Sequence, residues 1–462
     1  MPATLQPALD FADNHQTDNL NQLLDFLRIP SISTLPAHRP DVQRAADWLM
    51  ARMEGIGLRR VHGIPTDLHP VVYGEWTEAG RKAPTLLVYG HYDVQPTDPD
   101  DKWHTPPFEP TIRGDDLVAR GASDDKGQLY VHLAAAESFM RTQGKLPVNL
   151  KVFIEGQEEC GSAGLAAVIQ QHADLLACDA VVISDDGFWD AQTPKIATGT
   201  RGMVYFDVEI RGPRQDLHSG TYGGAVHNPL QAAAEMIAQL HDAQGRVAIE
   251  GFYDRVQPIS DDERREWELL PFDEEQFRRE EVGAPVLWQG ETGYSVHQRM
   301  TSRPTLEIHG IQGGFVGDGQ KTVIPARAVI KVSMRLVPDQ DPLEVARLFQ
   351  RRIQELAPPT VHAAARLLSH AYPALVDRHA PAVQAAAEAY RLAFGAQPIF
   401  QRSGGTLPVV ADFIRILGAP VVMMGFGLPD DNLHSPNEKF SLSHFYRGIR
   451  TAIHFMHTMA RP

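Results

Sequence analysis

Four short apolar runs most constrain what this chain can fold into: Thr85–Tyr89 (TLLVY), Val148–Ile154, Ala180–Ile183 and Pro420–Met424. Nearly continuous apolar character over four to seven residues marks strands buried on both faces, the habit of parallel sheets. Helical patterns stand among them. Asp41–Met53 places Val42, Ala45, Ala46, Leu49 and Met53 on one face, and Gly127–Gln143 stops at Gly144. This alternation predicts an α/β fold, a mostly parallel mixed sheet flanked by helices. The pattern changes after Gly202. Val204, Phe206, Val208 and Ile210 alternate with polar residues, as do Ala328, Ile330, Val332, Met334 and Leu336, so these strands have one wet face. Asn228–Pro229 and Asp341–Pro342 read as cap-plus-proline starts of helices running to about Leu240 and Leu356. With a strand at Thr305–Ile308, the order predicts a small open-faced α+β sandwich, ferredoxin-like, inserted into the larger domain. The acidic Ser260–Glu281 stretch reads as a surface insertion. Helix returns from about Pro381 and again from about Ser443. The expected domains are 1–203 with 383–462, and 204–382. A chain of 462 residues exceeds what one core usually supports, so two domains are also the expectation from length.

The residues just beyond each buried run carry the chemistry. His91 and Asp93 come after the first, Glu158 and Glu159 after the second, Asp185 after the third, and His434 lies in the loop after the fourth. Asp124 opens the helix at Gly127. In an open α/β sheet the carboxyl ends of the strands share one edge, and ligands bind there. Each signal is common alone: His-x-Asp recurs at His172/Asp174, and paired glutamates at Glu274/Glu275 and Glu280/Glu281. Their convergence is not, because charges at the ends of buried strands are costly unless paired or bound to metal. Imidazole and carboxylate donors without thiolate suit zinc, manganese or cobalt. Five donors exceed the need of one tetrahedral zinc, but a shared carboxylate gives two ions three donors each.

Composition excludes other classes. The net charge of −15 disfavours a phosphate backbone as partner. No run of 18 apolar residues predicts a membrane span. Met1–Asn19 is polar and lacks the basic-then-apolar layout of a signal peptide. Two cysteines, Cys160 and Cys178, fit a reducing cytoplasm, the expected location. Cys160 reads as buried filler rather than a nucleophile.

The segments GHYDVQP, RGASDDKG, EGQEECGS, ISDD and HSPNE, in this order, resemble the carnosinase-type metallopeptidases, which include dipeptidases, glutamate carboxypeptidase, aminoacylase and succinyl-diaminopimelate desuccinylase. The match extends from about Asp18 to the C-terminus and includes TRG at Thr200, DLHSG at Asp216, KTVIP at Lys321, MRLVP at Met334 and SGGTLP at Ser403. These resemble the cytosolic non-specific dipeptidase branch more than the desuccinylases. The resemblance implies a di-zinc exopeptidase-like catalytic domain and an inserted lid and dimerisation domain. It implies that Asp124 bridges two divalent cations, His91 and Asp185 completing one site, Glu159 and His434 the other. Glu158 would be the general base that activates a water held between the ions. Asp93 would support His91, a role its spacing also allows, since a carboxylate two residues on can accept the free ring N–H. Asp186 is the alternative to Asp185, and the bond after the bridging Asp124 is expected to be cis. Arg335 would hold a substrate carboxylate, with Thr322, Thr406 and His370 lining the pocket. His218 would polarise the scissile carbonyl in the partner subunit of a homodimer. His104 reads as a surface histidine. The expected substrates are dipeptides or short peptides with a free C-terminal carboxylate. N-acyl amino acids, through a deacylase of the same metal site, and a metal-free binding homologue are the rival readings.

Overall fold

The computed structural model describes residues 4–461 except 269 and 271; those two lie inside the acidic Ser260–Glu281 stretch, and the first three residues of the polar N-terminus are likewise outside the description. The principal strands, in chain order, are β1 (Arg59–Ile64), β2 (Val71–Trp76), β3 (Thr85–His91), β4 (Asn149–Glu155), β5 (Ala180–Ile183), β6 (Lys195–Thr200), β7 (Gly202–Arg211), β8 (Thr305–Gly313), β9 (Arg327–Leu336), β10 (His362–Ala371) and β11 (Val421–Met424). The chain forms two compact units. One comprises 1–198, 376–401 and 412–462, the other 199–375 and 402–411.

In the first unit the strand order is β1-β2-β4-β3-β5-β11-β6. The central neighbours β4–β3, β3–β5 and β5–β11 are parallel. Antiparallel pairs flank them on both sides. β5 and β11 are buried throughout, and β3 in all but its first residue. Helices Arg39–Ile56, Lys126–Gln143 and Leu442–Met459 supply the apolar cover. The second of these is buried over 14 of its 18 positions and ends on Gly144 at φ 65°, a left-handed cap that glycine adopts without a Cβ clash. Because β3, β4, β5 and β11 run the same way, their carboxyl ends share one edge.

The second unit is a four-stranded antiparallel sheet, β8-β9-β7-β10. Alternation puts Val204, Phe206, Val208 and Ile210 of β7 beside Ala328, Ile330, Val332, Met334 and Leu336 of β9 in one buried layer. Helices Pro229–Ile237 and Pro342–Leu356 close that layer with Ala232, Ala233, Met236, Val345, Phe349 and Ile353. Their starts are built as their sequences dictate: Asn228 accepts from Leu230 N, and Asp341 from Leu343 N and Glu344 N.

The units differ from the sequence-derived boundaries in one respect that matters. Residues 402–411, carrying SGGTLP, belong to the second unit. Arg201 is the reason: its backbone N–H donates to Gly405 O at 2.9 Å and its Nε to Gly404 O at 2.7 Å.

Candidate metal centre

β3 ends on His91, and Gly90 before it is required by close packing. A Cβ at Gly90 would lie 2.6 Å from Asp125 Oδ2, the oxygen that accepts from His91 N–H. With the imidazole fixed in this way, His91 Nε2 faces Asp124 Oδ1 at 3.0 Å and Asp185 Oδ2 at 4.0 Å. On the other side of Asp124, His434 Nε2 lies 2.9 Å from Oδ2 and 3.3 Å from Glu159 Oε2. Two donor sets therefore share Asp124: His91 with Asp185, and Glu159 with His434. Asp186 is occupied elsewhere, 2.9 Å from Lys195 Nζ. The Asp124–Asp125 peptide is cis.

The donor chemistry fits divalent cations. His91 Nε2 is buried and has no hydrogen-bond partner, although carboxylate oxygens face it. A nitrogen lone pair and carboxylate oxygens turned toward one point repel each other unless a proton or a cation lies between them, and three such donors around one point suit a divalent cation. All five donors are nitrogen or oxygen, three per ion with one shared.

The surrounding groups hold these donors in place. Asp93 does more than its spacing implied. His91 Nδ1 is 3.1 Å from Asp93 O and 3.5 Å from Asp93 Oδ1. The same carboxylate accepts from Glu158 N at 3.2 Å and Glu159 N at 3.0 Å. It thereby ties the first donor loop to the second. The two glutamates sit in a 3-10 turn, Glu158–Cys160, not on extended backbone. What separates them is their partners. Glu159 Oε2 accepts from Gln95 Nε2 at 2.6 Å and faces His434, whereas Glu158 is half-buried beside the cluster. Burial, reinforced by the charges of Asp93 and Asp124 against the opposing pull of His91, raises the Glu158 pKa.

Glu438 is the largest omission from the sequence-derived site. Its Oε2 accepts from Arg120 Nη1 and Gly121 N, both at 2.9 Å, and its Oε1 from Ser123 N and Asp124 N, both at 3.0 Å. The loop that presents Asp124 is thus pinned by one buried carboxylate. Asp431 assists, accepting from Ser123 Oγ at 2.8 Å. The signal was present: Glu438 closes HSPNE, and Arg120 opens RGASDDKG. Cys160 requires a correction. It is exposed, not buried filler; its Sγ donates to Gln157 O at 3.3 Å, and desolvation raises its thiol pKa. His104 is exposed, in keeping with a surface histidine.

The second unit gathers some of the remaining candidates and separates others. Arg335 Nη1 donates to Thr406 Oγ1 at 2.6 Å. His218 lies opposite Val323, next to Thr322, in a two-residue ladder. It is exposed, and its Nδ1 accepts from Gly220 N at 3.0 Å, so the neutral ring carries its proton on Nε2. His370 does not join Arg335. On β10 it is opposite Val204 and so shares the face of Met334, whereas Arg335 is opposite Met203 on the other face.

Fold and site together define a metallohydrolase with two adjoining donor sets on the carboxyl edge of a mixed α/β sheet. The profile of peptidase family M20/M25/M40 matches residues 87–458, and the chain belongs to that family; it is a metallopeptidase by this membership. It is 32% identical over 477 residues to the human Beta-Ala-His dipeptidase, covering 100% of this chain and 94% of that protein. It is also 32% identical over 482 residues to the Cys-Gly metallodipeptidase dug1 of Schizosaccharomyces pombe, covering 100% and 99%. Among solved structures, an M20 family metallo-carboxypeptidase of Sulfolobus solfataricus is similar with a TM-score of 0.84 at 32% identity, covering 96% of this chain and 99% of that one. The dipeptidase Dug1p of Saccharomyces cerevisiae is similar with a TM-score of 0.82 at 29% identity, covering 100% and 99%.

Proposed function

We propose that this chain hydrolyses the amide bond of dipeptides, or of short peptides with a free C-terminal carboxylate, with two divalent cations, zinc being the first choice. What carries this reading is the pair of donor sets that share Asp124, with Glu158 beside them. Its relatives include proteins named as a dipeptidase and as a metallodipeptidase. Bound cations would supply Lewis acidity at the scissile carbonyl and lower the pKa of water. The chain's own residues do the rest. Glu158 takes the proton of the attacking water and delivers it to the leaving amine nitrogen. Asp93 holds the His91 ring and the Glu158–Glu159 turn in register. Arg335, already bonded to Thr406, takes the substrate carboxylate with its planar fork. Thr322 and His218 form a second group, His218 offering its Nε2 proton to the developing oxyanion of a partner's substrate. The second unit accordingly serves as lid and homodimer surface. His370, on the opposite face from Arg335, is proposed at most as an outer pocket residue. Two thiols with no disulfide among the described residues accord with a reducing, cytoplasmic setting. No helix among the described residues is long and apolar enough to cross a membrane.

Elemental analysis of metal-replete protein, combined with hydrolysis of a dipeptide and N-acetyl amino acid panel, tests this. The expected result is two ions per chain, loss of activity on chelation, and dipeptides cleaved faster than N-acyl amino acids. One ion per chain, with full activity in Asp124→Ala, would refute the two-metal scheme.

A further inference from the structure

Lys126 stands two positions after the bridging Asp124, is wholly buried, and has no part in the chemistry described above. A buried ammonium is costly without partners. Its partners are backbone carbonyls. Nζ donates to Ile29 O at 2.6 Å and to Phe26 O at 3.2 Å, and it lies over the Phe26 ring, 4.9 Å from the centroid. Phe26 in turn stacks on Trp48 with 4.4 Å between ring centroids. Phe26 is in the last turn of the helix Gln16–Leu27, and Ile29 follows that helix. A helix end leaves carbonyls unsatisfied and partly negative, so an ammonium suits it. The same stretch of chain grips the first donor loop. Ser31, also wholly buried, donates from Oγ to Tyr92 O at 2.6 Å, and its carbonyl accepts from Val94 N at 3.0 Å. Ile32 and Val94 pair as a parallel bridge. These bonds hold both neighbours of Asp93. Val94 also abuts the loop that leads to Asp124, since a Cβ at Gly121 would lie 2.6 Å from Val94 Cγ1. Ser33 O accepts from His69 Nε2 at 3.3 Å. The loop of His69 is bonded to Gln157, which opens the Glu158–Cys160 turn: Gln157 Oε1 accepts from Thr66 Oγ1 at 2.9 Å and from His69 N at 3.4 Å.

We infer that residues 26–33 clamp the donor loops of the metal centre, with Lys126 and Ser31 as positioning residues that fix where Asp124 stands relative to His91. The inference rests on the two-cation reading. Donors serve a metal only when held within about 0.5 Å of their working positions, and loops lack the ladder bonds that would hold them so. The bonds from residues 26–33 supply that hold directly on the His91 and Asp124 sides, and through His69 and Gln157 on the Glu159 side. Neither Lys126 nor Ser31 belongs to a donor set. Both act through the backbone that carries the donors. Their effects should differ in kind. Asp124 is shared, so loosening it at Lys126 weakens both cation sites. Ser31 holds only the loop after His91, so its loss weakens one.

The test titrates the metal-free chain with Co2+ and records the visible absorption of the bound ion, which reports its coordination geometry. Urea denaturation of the same metal-free samples reads stability separately. The parent is compared with Lys126→Met, Ser31→Ala and Val383→Ala. The last is the control for plain loss of stability. Val383 is buried in the helix Pro381–Phe394. Its neighbours Ala382 and Ala385 share a cavity with Pro84, Asp179 and Pro420, the residues just before β3, β5 and β11, at the sheet edge opposite the metal centre. Lys126→Met is expected to bind both ions about 10–100-fold more weakly with altered absorption, as when other groups that orient metal donors are removed. Ser31→Ala is expected to bind one ion about fivefold more weakly, the equivalent of one ordinary hydrogen bond. Val383→Ala should lose stability and keep the parent's affinity and absorption. Parent-like binding and absorption in Lys126→Met and Ser31→Ala, with only stability lowered, would overturn the clamp. So would an equal loss of affinity in Val383→Ala. If Lys126→Met does not fold, Ser31→Ala decides alone, and parent-like binding counts against the clamp. A parent that binds no second cobalt ion would overturn the two-cation reading and the clamp with it. That outcome is distinct from variants that match a parent binding two.

Discussion

Glu158 and its neighbour are chemically identical and differ only in surroundings. Burial raises the pKa of both, so position decides: Glu159 is engaged by Gln95 and His434 in a donor set, whereas Glu158 stands half-buried beside the cluster, outside either set, where it can serve as a base. Glu158→Gln keeps the shape and removes the proton acceptor. Its kcat is expected to fall at least about 100-fold while both ions stay bound, read by steady-state kinetics and metal analysis of the same preparation. Unchanged kcat would remove Glu158 from the mechanism. Glu438 makes a different prediction, because it touches no donor side chain directly. Glu438→Gln leaves Arg120 buried without its charge partner, a loss of about 3–5 kcal/mol by the usual cost of breaking a buried pair. It also loosens the Asp124 loop, so metal affinity is expected to fall about 10–100-fold. Denaturant titration and a metal-binding isotherm check the two parts separately. The donors were legible in sequence because each comes soon after an apolar run or at a helix start. Glu438 and Asp125 stand inside the same motif segments, but their roles were not legible there, because they act largely by accepting from backbone N–H groups and no side-chain pattern records which loop those groups belong to.

At the level of elements, apolar periodicity located β3, β4, β5 and β11 and the helices Arg39–Ile56, Lys126–Gln143 and Pro342–Leu356 within two or three residues. The strand Ala180–Ile183 has the same bounds in sequence and in structure. What escaped was partly short buried strands and partly half-exposed structure: β2 (VVYGEW) is buried throughout and β6 (KIATGT) in all but its first residue, but glycine and polar residues break their apolar runs. β10 is HAAARLLSHA, mostly alanine and polar residues, and takes strand form because β7 offers it a hydrogen-bonding edge. β1 and the two N-terminal helices, Leu5–Asn14 and Gln16–Leu27, likewise lack a strong pattern. The helix Lys126–Gln143 carries a testable charge effect. Its His132 is buried, with Nε2 2.7 Å from Ser184 Oγ, and burial alone lowers its pKa to about 4. Above the unfolded value of about 6.5, both states hold a neutral ring and pH has no leverage through it. As pH falls from about 6.5 toward 4, the unfolded chain takes up a proton that the folded chain refuses, and stability drops by on the order of 3 kcal/mol. Urea denaturation of metal-stripped protein at pH 7.5 and 4.5 should show a larger loss in the parent than in His132→Gln. Equal losses would exclude His132 as the source.

The whole molecule is two units threaded by one chain that crosses between them more than once. Length and the change from apolar runs to alternating strands revealed the insertion. The allegiance of residues 402–411 was hidden, because it rests on Arg201 binding Gly404 and Gly405 across some two hundred positions. If the second unit also pairs with its copy, His218→Ala and Glu158→Gln should complement each other. After subunit exchange of these two inactive variants, activity is expected to return to about one quarter of the parent's, since half the dimers are mixed and each has one intact site of two. No recovery despite proven exchange would confine His218 to its own chain. Glu438 meets Arg120 across 318 positions, and His434 meets Asp124 across 310. Chains emerge N-terminal end first and fold as they emerge. A growing chain therefore exposes His91, Asp124, Glu159 and Asp185 long before the segment that completes the second donor set and pins the Asp124 loop. During synthesis the hydrolytic centre stays unfinished until the segment carrying His434 and Glu438 has been made, and the amide-cleaving activity waits for that segment.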